Sequence, residues 1–116
     1  MTDTPTRPFI KHLVAELFGV DSQILDSEAV TSEKIKIVTE AIEAKVLGVL
    51  SHKFDIGMSV TFLVSTSHIS AHTWPEYGYM HLDIVTCSEE TRLECLEEVV
   101  NKEFAPSHVK ITALNY

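Results

Sequence analysis

Residues Ser65 to Cys87 read STSHISAHTWPEYGYMHLDIVTC, and this stretch decides how the chain folds. Val60–Val64 just before it and His68–Thr73 within it read as short strands, and Pro75–Gly78 has the composition of a turn. Tyr79–Thr86 then alternates Tyr79, His81, Asp83 and Val85 against Met80, Leu82 and Ile84. Strands joined by so short a turn pair antiparallel. Residues near Ser67 and His72 are thereby brought towards the end of the next strand, where Cys87 lies, so a hydroxyl, an imidazole and a thiol are expected in one pocket.

Working outward, Lys11–Phe18 alternates as a strand and Asp21–Thr31 reads as a polar connection. Ser32 is placed to cap a helix whose Ile35, Val38 and Ile42 recur at helical spacing, with Glu33 suiting the dipole at its start. Val46–Phe54 is a further strand. Ser88 is expected to cap a second helix running to about Phe104, with Leu93, Leu96 and Val100 facing inward and Pro106 ending it. His108–Leu114 closes the chain as a strand with Val109, Ile111 and Ala113 on one face. The economical arrangement is α+β: an antiparallel sheet with two helices packed on one face, an α/β sandwich protomer whose other sheet face still needs cover.

At 116 residues the chain is a single domain, 1–116, small enough that self-association would help bury apolar surface. Its composition, 45% hydrophobic and 22% charged, is that of a globular protein. The net charge of -8 excludes nucleic acid, which demands a basic footprint, and favours a small cationic ligand. No apolar run approaches a membrane span, MTDTPTRPF lacks a signal peptide's apolar region, and two cysteines make no disulfide framework, so the expected compartment is the cytoplasm.

Taken singly, the polar residues of the central stretch are ordinary. A serine at a strand end usually caps a turn. His68 and His72 share a strand face, but a zinc site needs more ligands at suitable spacing and none stands out, so no metal is expected. Cys95 falls on the apolar stripe of the second helix as a small core residue.

Together and in order, Ser59, Ser67, His72, Glu76 and Cys87, set in TSHISAHTWPEYGY followed by DIVTC, resemble the self-processing region of the short prokaryotic S-adenosylmethionine decarboxylases. KHLVAELFG is similar to that family's first strand, SHKF to its second and MSV to the start of its third, so the resemblance spans Lys11 to Cys87. It implies a proenzyme that cuts its own backbone between Thr66 and Ser67, into a β chain of residues 1–66 and an α chain of residues 67–116, and converts Ser67 into a pyruvoyl cofactor without pyridoxal phosphate or metal. By position, His72 matches the processing base and Ser59 the hydroxyl that assists the tetrahedral intermediate. The pyruvoyl group would form a Schiff base with a substrate α-amine, with Cys87 as the proton donor after carbon dioxide leaves.

Phe54 and Trp74 resemble residues lining the adenosyl site, and Glu76 the acid that contacts the ribose hydroxyls; aromatic faces suit adenine and a sulfonium. The resemblance also implies a homodimer of cleaved protomers with sites at the interface, and a place in spermidine biosynthesis. The chain departs from the family pattern at Thr66, where glutamate is usual, at the short proline-free link Asp55–Gly57, and at Ser88, often glycine. These departures leave ornithine or arginine as alternative substrates on the same scaffold, and a non-processing regulatory homologue as a further alternative.

Overall fold

The computed structural model describes residues 4–116. Strand β1 (Lys11–Phe18) buries Leu13, Ala15 and Leu17 and leaves the intervening residues outside the core, as its alternation dictates. Two helices follow, α1 (Ser22–Leu25) and α2 (Glu28–Ala41). Then come β2 (Val46–Lys53), β3 (Met58–Val64), β4 (Ser67–Trp74), a 3₁₀ turn at Pro75–Tyr77, and β5 (Tyr79–Thr86). A second 3₁₀ turn, Leu93–Cys95, leads into α3 (Leu96–Phe104), and β6 (His108–Leu114) ends the fold.

The six strands form one sheet in the order β2-β3-β4-β5-β1-β6, antiparallel at each junction. Helices α2 and α3 cover a single face. Ile35 and Val38 from α2, Ile42 at its C-cap, and Leu96, Val100 and Phe104 from α3 are fully or almost fully buried in one cluster with Met58, Val60, Phe62, Ile69, Met80, Leu82 and Ile84 of the sheet. The inward stripes expected of both helices are therefore present at Ile35, Val38, Ile42, Leu96 and Val100, while Leu93 packs at the edge of the cluster.

Both helix starts differ from the sequence reading. The first long helix begins at Glu28, and its cap is Ser27, whose Oγ accepts from the Val30 N–H at 3.1 Å. Ser32 lies inside that helix, with its Oγ buried and without a hydrogen-bond partner among the described residues. The expected polar connection is partly helical because Asp21 caps α1 through the Gln23 N–H, and Thr31 Oγ1 donates to the Ile24 carbonyl, locking α1 onto α2. Ser88 caps only a local turn, accepting from Glu90 N–H. Its own N–H is taken by Thr86 Oγ1, and Arg92 N–H donates to the Ile42 carbonyl, so the chain stays irregular until Leu93.

Among the described residues the opposite sheet face carries no helix. All six histidines project from it: His12, His52, His68, His72, His81 and His108 occupy the pleats opposite the buried ones. Among them lie exposed apolar residues, Leu50 at 79% and Leu63 at 57%, too apolar for a face meant only for water.

Candidate active site

The turn from β3 to β4 places Ser67 at the first position of β4, opposite Val64. Since His68 faces Val85 in the β4/β5 register, Ser67 falls level with Thr86, and Cys87 follows at once. Ser67 and Cys87 therefore occupy the same end of the sheet, and Cys87 is an exposed free thiol. Among the described residues no hydrogen bond holds the Ser67 hydroxyl. A cleft of about 560 Å³ opens at this end, lined by Phe9, Lys11, Leu13, Thr86, Thr91 and Glu94 among others.

Ser59 and His72 face each other across the β3/β4 ladder, with Ser59 Oγ 2.7 Å from His72 Nδ1. His52 is level with Ser59 on β2, and His81 is level with His72 on β5. This pair does not sit beside Ser67. His72 is five residues further along β4, about 17 Å at roughly 3.3 Å per residue, and an odd separation puts it on the opposite pleat. The single pocket expected from the sequence is thus split within one protomer, because both residues belong to one extended strand.

Phe54, Trp74 and Glu76 collect at the His72 end. Phe54 directly follows Lys53, which pairs with Met58, and Trp74 ends β4 opposite Tyr79. Phe54 is half exposed and packs edge-on against His52, with centroids 4.8 Å apart. Trp74 opens an aromatic row across the sheet: it meets Tyr79 at 5.5 Å, Tyr79 meets Phe18 at 5.3 Å, and Phe18 meets His108 at 5.7 Å. Tyr79 donates to Glu16 Oε2 at 2.7 Å, and partial burial together with that bond pushes its phenol up to about 12. The link carrying Phe54 is pinned by Asp26, which accepts from the Gly57 N–H at 2.8 Å and pairs with Lys53 at 2.8 Å. These two contacts, the Gly57 bond foremost, hold the Asp26 carboxyl below its ordinary range.

One constellation was not read from the sequence. Asp83 bridges two histidines, with Oδ1 2.7 Å from His12 Nε2 and Oδ2 3.4 Å from His68 Nε2. Counting registers outward from the Pro75–Gly78 turn places Asp83 diagonal to His68, so the signal was present in the alternation. Among the described residues no group of three His, Cys, Asp or Glu side chains has the geometry to hold a metal ion, and no helix is long and apolar enough to cross a membrane.

The sequence profile described as S-adenosylmethionine decarboxylase matches residues 11–115. The chain belongs to that family. The match takes in α3 and β6, beyond the Lys11–Cys87 stretch in which the motifs lie. Among curated relatives, the S-adenosylmethionine decarboxylase proenzyme of Pyrobaculum islandicum is 35% identical over 86% of this chain and 82% of its own. The proenzyme of Methanococcus maripaludis is 34% identical over 87% of this chain and 84% of its own. A crystal structure of the adenosylmethionine decarboxylase from Aquifex aeolicus superposes with a TM-score of 0.83 over 94% of this chain and 91% of that one; at 23% identity it speaks to the fold alone. As a family member the chain is a pyruvoyl-dependent carboxy-lyase.

Proposed function

We propose that the chain is made as a proenzyme that cuts itself between Thr66 and Ser67, and that it works as a face-to-face homodimer whose two sites each draw on both protomers. The reaction of its family is the decarboxylation of S-adenosylmethionine, the step that leads to spermidine. The observation that carries the dimer is the distance separating the hydrogen-bonded Ser59–His72 pair from Ser67 in its own protomer. A twofold partner laid against the open face with its strands antiparallel, the axis lying across them, brings its His72 end over the Ser67 end of the first sheet. That association also covers Leu50, Leu63 and the histidine rows.

In this arrangement the Ser67 hydroxyl attacks the Thr66 carbonyl, the C–N bond breaks and an ester replaces the amide. The partner's imidazole takes the hydroxyl proton, and the serine bonded to it steadies the oxyanion. β-Elimination then expels the Thr66 carboxylate, and hydrolysis with loss of ammonia leaves the pyruvoyl group. The residues present fit that group: Ser67 heads a strand with a free hydroxyl, and the free thiol of Cys87 lies at the same sheet end. Once formed, the pyruvoyl supplies a carbonyl that captures an α-amine and withdraws electrons as carbon dioxide departs. Cys87 returns a proton to the substrate carbon, Phe54 and Trp74 hold the adenine and sulfonium by their faces, and Glu76 accepts from the ribose hydroxyls. The acidic chain, at -8, draws in the cationic substrate.

Intact-mass analysis of the purified protein, followed by carbon dioxide release from S-adenosylmethionine, ornithine and arginine in parallel, tests this reading. Two fragments split before residue 67 and release from S-adenosylmethionine alone are expected. A whole, inert chain overturns it.

A further inference from the structure

Among the described residues three non-glycine residues have a positive φ: Glu43, Thr66 and Ala105. Glu43 and Ala105 follow the last turns of α2 and α3, where a left-handed residue is a common way to stop a helix. Thr66 has no such reason. With φ at 83° it is the second central residue of a two-residue turn, Ser65–Thr66, closed by the pairing of Val64 with Ser67. Ser65 keeps a negative φ. A positive φ at the second central position alone is the signature of a type II turn, which wants glycine or asparagine there. Hairpins of this length prefer primed turns, whose twist matches their strands. The turn is thus wrong for its strands, and a β-branched residue occupies the position least suited to one.

The turn is held in place on both sides. Val64 and Ile69 anchor the two strands in the core, and Ser65 N–H donates to the Lys45 carbonyl at 2.8 Å, fixing the turn from the side. The peptide bond that ends this strained residue is Thr66–Ser67.

We infer that Thr66 is a positioning residue for self-cleavage: the precursor holds it in a left-handed conformation that the amide-to-ester shift releases, so that strain stored in the turn speeds the cut. This rests on the self-processing reading given above. In the intact chain the two strands clamp the turn. When the Thr66 carbonyl moves from nitrogen to the Ser67 oxygen, the closed turn gains an extra atom and a rotatable ester, and Thr66 is free to return to negative φ. Elimination then parts the chain and makes the release permanent. A residue at ease with positive φ has nothing to release.

The test compares full-length Thr66→Asn, Thr66→Gly and Thr66→Val with the parent, following cleavage over time by intact mass after synthesis in a cell-free system. Asparagine and glycine, both tolerant of positive φ, are expected to slow the cut by roughly ten-fold or more, while valine, equally branched but lacking the hydroxyl, keeps the parental rate. In a Ser67→Ala background, where the chain stays whole, Thr66→Asn should raise the melting temperature and Thr66→Val should not. Equal or faster cleavage by Thr66→Asn, or no gain in melting temperature, overturns the inference while leaving self-processing intact. A parent that is never cut refutes self-processing instead, and the Ser67→Ala comparison still decides whether the turn is strained.

Discussion

If the Ser59–His72 pair acts on the partner's turn, cleavage can be restored by mixing two variants that each fail alone. Within one protomer His72 lies about 17 Å along β4 from Ser67, against a reach of about 3 Å for proton transfer, and no side-chain rotation closes a gap of that size. Homodimers of His72→Ala lack the base and stay whole; homodimers of Ser67→Ala lack the nucleophile and stay whole. In a mixed dimer the intact His72 of the Ser67→Ala protomer faces the intact Ser67 of the His72→Ala protomer. One of the two turns then has everything it needs. With equal expression and random pairing, about half the dimers are mixed, so about a quarter of all chains should be cut, each of them a His72→Ala chain. Intact mass distinguishes the two variants directly, and a size tag on one makes the same reading possible on a gel. Cleavage of neither chain in the mixture refutes action across the interface. So does cleavage of His72→Ala on its own.

The remaining predictions concern the proposed proton donor, the loop that carries Phe54 and the helix that covers the sheet. Cys87→Ala should still cut itself but release carbon dioxide roughly 10²-fold to 10⁴-fold more slowly, as measured by single-turnover decarboxylation. Asp26→Asn should lower the melting temperature at neutral pH, with the difference fading as pH falls below about 4: the folded carboxyl titrates below its ordinary 3.8, so its contribution is complete above that value and disappears as acid protonates it. Gly57→Ala should destabilise by roughly 2–4 kcal/mol in denaturant melts, because the residue has φ of 89° and a Cβ there would lie 2.5 Å from the Thr73 carbonyl oxygen. Ser32→Ala should stabilise by about 1 kcal/mol in the same assay, since it removes a buried hydroxyl with no partner and gains helix propensity.

Much of the sheet was legible because its strands alternate cleanly. Tyr79–Thr86 buries Met80, Leu82, Ile84 and Thr86 in strict period two, and the Pro75–Gly78 turn fixes the register that sets His72 against His81. Helix starts were harder, since Ser27 and Ser32 are each followed by a glutamate and both suit a cap. What chose Ser27 was tertiary: Thr31 reaches the Ile24 carbonyl only if the helix has already begun. The residues carrying the family resemblance were legible as a set, but not their division between two ends of a strand, because a motif gives spacing along the chain and is silent about which copy of the chain completes the site. The φ of Thr66 was hidden for a related reason. Its sequence neighbours, Ser65 and Ser67, are compatible with several turns, and only the pairing of Val64 with Ser67 forces the tight one.

The strand order has a consequence for what a cut leaves behind. Residues 1–66 hold β1, β2 and β3, and residues 67–116 hold β4, β5 and β6, yet across the sheet the two fragments interleave: β2 and β3 from the first, β4 and β5 from the second, β1 from the first, β6 from the second. Strand β1 is clasped on both edges by the other fragment, and three of the five ladders become intermolecular seams. Neither piece owns a contiguous sheet, since in the first fragment β1 is separated from β3 by two strands it no longer carries. A cut protein would therefore be held by those three ladders and the shared core while losing the means to rebuild itself: once unfolded and diluted, its halves would have to find each other, and recovery would depend on their concentration where that of the uncut chain would not.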